Sequence, residues 1–175
     1  MTECVIIDRQ AHILRLRLNR AEKKNALTRD MYTVMADALF QAENDPAIRV
    51  IVFEGTSGCF TAGNDLKDFQ EQPPRDKSAP VYRFITALAR STVPMVAAVD
   101  GIAVGIGVTL LLHCDIILAS ERARFQLPFV NLGLLPEAGS TYLLPKLVGQ
   151  TRASELLMTG RLFEVKEALD LGVVT

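Results

Sequence analysis

Three stretches of this sequence combine small residues, an acidic group and apolar surroundings in patterns able to do chemistry. The first is GCFTAGNDLKDF, residues 58–69, where Ala62 and Gly63 stand directly before Asn64, Asp65 and Leu66. Small residues let a ligand reach the backbone, and unbonded N–H groups at a helix start attract anions. The same letters also suit a tight turn with an aspartate at a helix N-terminus, and short motifs are weak alone.

The second stretch is VDGIAVGIGVTLLLHCD, residues 99–115. A buried strand, a turn punctuated by Gly101, Gly105 and Gly107, and an apolar helix would aim backbone N–H groups at a ligand. The glycine spacing does not fit G-x-G-x-x-G, which argues against a dinucleotide site. Close helix–strand packing accounts for the glycines equally well. The third stretch is FQLPFVNLGLLPEAGSTYLLPKL, residues 125–147, with Glu137 among apolar neighbours. Desolvation there raises a glutamate pKa from about 4.3 and makes it a better base. A first-turn glutamate facing a helix dipole is the competing reading.

The elements that must position these residues follow from periodicity. Residues 4–8 and 12–18 form two β-rich runs about an Arg9-Gln10 link, and the alternation of HILRLRL marks a half-buried hairpin strand. Residues 27–44 predict a helix with Thr28 as N-cap and Met31, Val34, Met35, Ala38, Leu39 and Ala42 on one face. Residues 49–53, 95–99 and 115–120 predict buried strands; residues 81–89, 105–113, 138–148, 152–159 and 165–171 predict helices. Residues 70–78, with Pro73 and Pro74, read as an exposed connection. Strands alternating with helices imply an α/β unit with right-handed crossovers. The terminal Val173-Val174-Thr175 reads as the first residues of another strand.

Composition narrows the classes. The chain has 175 residues, 49% hydrophobic and 22% charged, with a net charge of −1. That balance offers no broad basic field for nucleic acid, and no apolar run long enough to span a bilayer. Three cysteines, none in a Cys-x-x-Cys pair, point to a reducing compartment, and the first ten residues lack a signal pattern, so a cytoplasmic setting is expected. His12 and His113 read as structural, and with two histidines and no clustered carboxylates a metal centre is not expected. Ser140 lies in no nucleophile elbow.

Taken together and in order, NRAEKKNALT (19–28), SGCFTAGNDL (57–66), AAVDGIAVGIGVTL (97–110) and LPEAGS (135–140) resemble the enoyl-CoA hydratase/isomerase, or crotonase, superfamily. AGNDL, AVGIGVTLL and PEAGS look most like its delta-3,delta-2-enoyl-CoA isomerase branch. The resemblance covers essentially the whole chain. It implies a spiral α/β core of repeated ββα units, with mostly parallel sheets flanked by helices. Residues 1–175 would be that core, ending before the C-terminal helices usual in the superfamily.

The resemblance also implies a site. The backbone N–H groups of Asn64 and Ile106 would hold a thioester oxygen, and Glu137 would be the single acid/base. Thr109 and Phe129 stand where hydratases carry two glutamates, and neither can act as a carboxylate base. Lys23 and Lys24 would face the CoA phosphates, although a solvated basic pair explains them as well, and the Ala26 backbone would lie near the adenine. Ala62, Gly63, Asn64, Asp65, Leu66 and Gly105 would line the pantetheine and thioester. CoA enters as part of the substrate, with no other cofactor, and a homotrimer or hexamer is implied. A peroxisomal or mitochondrial origin stays open. Two alternatives stand beside the isomerase: an enoyl-CoA hydratase, and a non-catalytic acyl-CoA-binding protein.

Overall fold

The computed structural model describes residues 3–175. Strands β1 (Val5–Gln10) and β2 (Ile13–Leu18) pair antiparallel, with Gln10 opposite Ile13. The reversal falls at Ala11-His12 and not at Arg9-Gln10, because Ala11 takes the left-handed conformation at φ +52°. In β2, Leu14, Leu16 and Leu18 are buried between half-exposed arginines, as the alternation requires.

Helix α1 (Arg29–Glu43) starts later than residue 27. Thr28 caps it, its Oγ1 accepting from the Met31 N–H at 3.4 Å, while Leu27 pairs with Asn64 as a β-bridge. Tyr32 and Ala36 join the buried stripe, and Val34, expected there, is exposed. Strand β3 (Val50–Gly55) follows. Helix α2 (Leu66–Glu71), a proline-rich connection and helix α3 (Pro80–Arg90) then lead to β4 (Met95–Val99).

Strand β5 (Ile102–Val104) precedes α4 (Ile106–Thr109), which continues as a 3-10 turn at Leu111–His113. The helix expected over 105–113 therefore starts at Ile106 and tightens to 3-10 geometry after Leu110, which keeps a helical backbone and bonds to the Ile106 carbonyl. After β6 (Ile116–Ala119) and β7 (Arg124–Gln126) come α5 (Ser140–Val148), α6 (Gln150–Thr159), β8 (Leu162–Glu164) and α7 (Val165–Asp170). Helix α5 cannot begin at Ala138, because Ala138 and Gly139 both have positive φ.

The main sheet has the order β1-β2-β3-β4-β6, parallel from β2 onward. A second sheet, β5-β7-β8, lies beyond the C-terminal end of β4. Its three-residue strands are too short to carry a periodic signal, and none was expected from sequence. Val173 and Val174 are buried, and the Thr175 N–H donates to the Ile117 carbonyl at 2.8 Å, so this end lies along β6 without forming a strand.

Candidate active site

Residues 61–65 are held on both sides by backbone bonds. Thr61 pairs with Ala103: its N–H donates to Ile102 and its carbonyl accepts from Val104, both at 3.0 Å. The Ala62 N–H donates to Lys24 at 2.9 Å, and Leu27 bonds to the Gly63 carbonyl and the Asp65 N–H at 2.8 and 2.9 Å. Gly63 has φ +90°, and a Cβ there would lie 2.8 Å from the Val104 carbonyl oxygen. Glycine thus lets this loop touch the residues that lead into α4.

Between these bonded neighbours, the Asn64 N–H has no protein acceptor among the described residues. The Ile106 N–H, first of α4, has none either. Gly105 turns the chain with φ +56°, and its own N–H is used on the Gln126 carbonyl at 2.9 Å. Two unpaired amides therefore sit on adjoining loops, a geometry suited to a developing oxyanion. The Ile106 side chain packs into the core at 1% exposure, away from its own free N–H.

Three residues beyond Ile106 on the same short helix, the buried Thr109 hydroxyl donates to Glu137 Oε1 at 2.6 Å. Glu137 Oε2 is buried with no hydrogen-bond partner. Burial pushes the Glu137 pKa up to about 7, against the lowering effect of the Thr109 bond. The carboxylate does not cap α5. The Glu137 backbone carbonyl does, accepting from the Ser140 N–H at 3.0 Å and its hydroxyl at 2.7 Å. The first-turn reading of Glu137 is thereby replaced by a buried carboxylate with one oxygen fixed and one free.

Tyr32 joins the site through Asn64. Its hydroxyl donates to Asn64 Oδ1 at 2.5 Å. Burial first, and the charge of Glu137 second, push its pKa well above the usual tyrosine value, so it stays protonated. Tyr32 and Asn64 both line a cavity of about 140 Å³ walled by Leu27, Phe69 and the 73–81 segment. No sequence signal marks Tyr32, which sits in the apolar stripe of α1 like any core aromatic.

Lys23 and Lys24 are exposed, and Lys24 and Asn25 both have positive φ. Their loop is anchored by Asn25, which is fully buried: Nδ2 donates to Cys59 O at 2.7 Å and Oδ1 accepts from the Arg20 N–H at 2.8 Å. Arg20 reaches the Ala26 carbonyl at 3.0 Å and Asp65 Oδ2 at 2.7 Å, tying this loop to the 61–65 loop. Asp65 Oδ1 meanwhile accepts from the Lys67 and Asp68 N–H groups, capping α2 as expected. The Arg20 bond, with those amides, holds the Asp65 carboxyl below the ordinary range. Leu66 is half exposed, and Phe129 is buried, its carbonyl holding the 132–134 turn. Arg20 and Asn25 were not singled out from sequence, since both lie in a polar loop where neither type stands out. His12 and His113 bond to the Ala47 and Ala138 carbonyls, both at 2.8 Å. Among the described residues, no group of three or more His, Cys, Asp or Glu is placed to hold a metal ion, and no helix is long and apolar enough to cross a membrane.

A mostly parallel α/β core carrying two unpaired loop amides and one desolvated carboxylate defines a recognisable class. The sequence profile of the enoyl-CoA hydratase/isomerase family matches residues 8–175, and the chain belongs to that family. It is 37% identical over 177 residues to the peroxisomal enoyl-CoA delta isomerase 3 of Mus musculus, covering 98% of this chain and 56% of that one. It is 35% identical over 175 residues to the 2,3-dehydroadipyl-CoA hydratase of Escherichia coli, covering 98% and 68%. The solved structure of Pseudomonas aeruginosa OdaA superposes with a TM-score of 0.95 at 50% identity, covering 99% of this chain and 70% of that one. The fold is thus the crotonase fold. The chain spans just over half the length of the mouse relative.

Proposed function

We propose that this protein moves the double bond of a 3-enoyl-CoA ester to the 2-trans position. The observation that carries the reading is the Glu137 carboxylate, with Oε1 held by Thr109 and a buried Oε2 left free. In the proposed reaction the Asn64 and Ile106 N–H groups polarise the thioester carbonyl. Glu137 takes a proton from the carbon alpha to it, and the C–H electrons enter the dienolate, whose charge rests on the bonded oxygen. The protonated Glu137 then delivers that proton to the gamma carbon, and the double bond comes to lie between the alpha and beta carbons. Protons balance, the carboxylate is restored, and no water takes part.

A hydratase activates water with a second carboxylate. Here Thr109 and Phe129 stand at the positions that resemblance gives to hydratase glutamates, and Asp65, beside the thioester loop, is committed to Arg20 and the α2 cap. In the same reading Lys23 and Lys24 meet the CoA phosphates as point charges, and residues 62–66, with Gly105, line the pantetheine and thioester. Family resemblance further suggests a homotrimer or a dimer of trimers.

The deciding experiment supplies purified protein with a 3-enoyl-CoA and, separately, a 2-trans-enoyl-CoA, beside Glu137→Gln. Conversion of the first without hydration of the second, lost in the variant, supports the isomerase. Hydration that survives the variant replaces this reading with the hydratase. CoA-ester binding without turnover on either substrate replaces it with a binding protein.

A further inference from the structure

Tyr32 has no part in the reaction just described, yet it is buried at 3% exposure and bonded to a residue of the site. A buried tyrosine hydroxyl takes some partner, and a backbone carbonyl would serve. Here it takes the side chain of Asn64, the residue whose N–H is unpaired. Each peptide beside Asn64 carries one bond to Leu27, through the Gly63 carbonyl and the Asp65 N–H, and neither bond restrains the Asn64 side chain. The Tyr32 ring is itself held rigidly. It lies tilted on Phe84 with centroids 5.5 Å apart, and Phe84 meets Phe53 of the main sheet edge-on at 6.3 Å.

We propose that Tyr32 is a positioning residue that fixes the Asn64 side chain and thereby aims the Asn64 N–H at the thioester oxygen. This rests on the reading of Asn64 as an oxyanion donor. The physical reason is a third point of attachment. The bonds to Leu27 hold the chain on one side of Asn64, and the Tyr32 bond ties its side chain to a ring fixed in the core. A rotation of the Asn64 backbone that turned its N–H away would have to break that bond. Because Tyr32 stays protonated, the restraint persists across the working pH range.

The test compares wild type, Tyr32→Phe, Asn64→Ala and the double variant. Alanine at 64 retains the N–H, so each single change removes the restraint and keeps the donor. Outright loss of an oxyanion donor costs roughly 10²–10³ in kcat, so loosening one is expected to lower kcat about tenfold with KM within about twofold. A dimethylaminocinnamoyl-CoA ligand supplies a second readout. Carbonyl polarisation shifts its absorption to the red, and both single variants should weaken that shift.

If Tyr32 acts through Asn64, the double variant loses no more than the worse single one. Additive losses would overturn the proposal, as would wild-type kcat and red shift in Tyr32→Phe. Should Tyr32→Phe unfold, Asn64→Ala decides alone, and wild-type behaviour there is equally fatal. A red shift in wild type, weakened by the variants, without isomerisation of any 3-enoyl-CoA removes the isomerase reading and leaves this one standing. No red shift in wild type removes the oxyanion donor and this inference with it.

Discussion

Thr109 and Glu137 meet through one hydrogen bond of 2.6 Å, and that bond sorts the two carboxylate oxygens into different tasks. Oε1 is the anchored oxygen, and Oε2, buried and unbonded, is the one free to exchange a proton. Thr109→Val keeps the shape of the site and deletes the anchor. Since the bond lowers the Glu137 pKa, its loss should move the acid limb of kcat/KM to higher pH, and Thr109→Ser should bring it back. A pH–rate profile of the three proteins checks this. An unmoved limb in Thr109→Val would show that the threonine does not govern ionisation.

Glu137 also links activity to stability in opposite senses. The base must be ionised, so kcat/KM should rise with pH through about 7. A carboxyl whose pKa is higher in the fold than in the unfolded chain contributes stability that is fully present below the unfolded value. That contribution is lost as pH rises through about 7. Glu137→Gln should therefore be inactive, yet more stable than wild type at pH 8 by about 3 kcal/mol, with the gain vanishing near pH 4. Urea unfolding at the two pH values measures the difference.

Gly63→Ala tests the contact between the two loops. The new methyl would meet the Val104 carbonyl oxygen at 2.8 Å, from a backbone at φ +90° that alanine resists. Separation of the loops by a fraction of an ångström should lower kcat by about 10²-fold, while the distant hairpin and α1–α3 packing survive. Kinetics beside far-UV circular dichroism separates this from global unfolding.

Arg20→Ala cuts the tie between the 20–26 loop and the 61–65 loop. It removes the bonds to Asp65 and to the Ala26 carbonyl and leaves the partly buried Asp65 carboxylate with only the two amides of α2. A loss of about 1–3 kcal/mol in stability is expected, with a raised KM for the CoA ester. Arg20→Lys, a single point charge, should restore part of the stability but not both bonds. Thermal unfolding and KM for the three proteins give the answer.

What could be read beforehand divides along physical lines. The β2 alternation and the Thr28 cap of α1 are local and periodic, and both stand in the structure. Strands β5, β7 and β8 are three residues each, too short for a two-residue alternation to repeat, so Ile102–Val104 reads as part of a glycine-rich turn. Glu137 was ambiguous by its neighbours alone. Only the order of four motifs singled it out, and only the fold shows Thr109 fixing its carboxylate. Tyr32, Asn25 and Arg20 act through partners more than thirty residues away in sequence, and no pattern along the chain encodes such a meeting.

The bridges Leu27–Asn64 and Thr61–Ala103 join three segments that are far apart along the chain. Both long loops must close before the two free amides can stand together, and such non-local closures come late in folding. Hairpin and helices, built from near neighbours, set most of the far-UV signal. During refolding that signal should therefore return before the capacity to polarise a thioester. The last step of folding and the first appearance of catalytic power would then be one event.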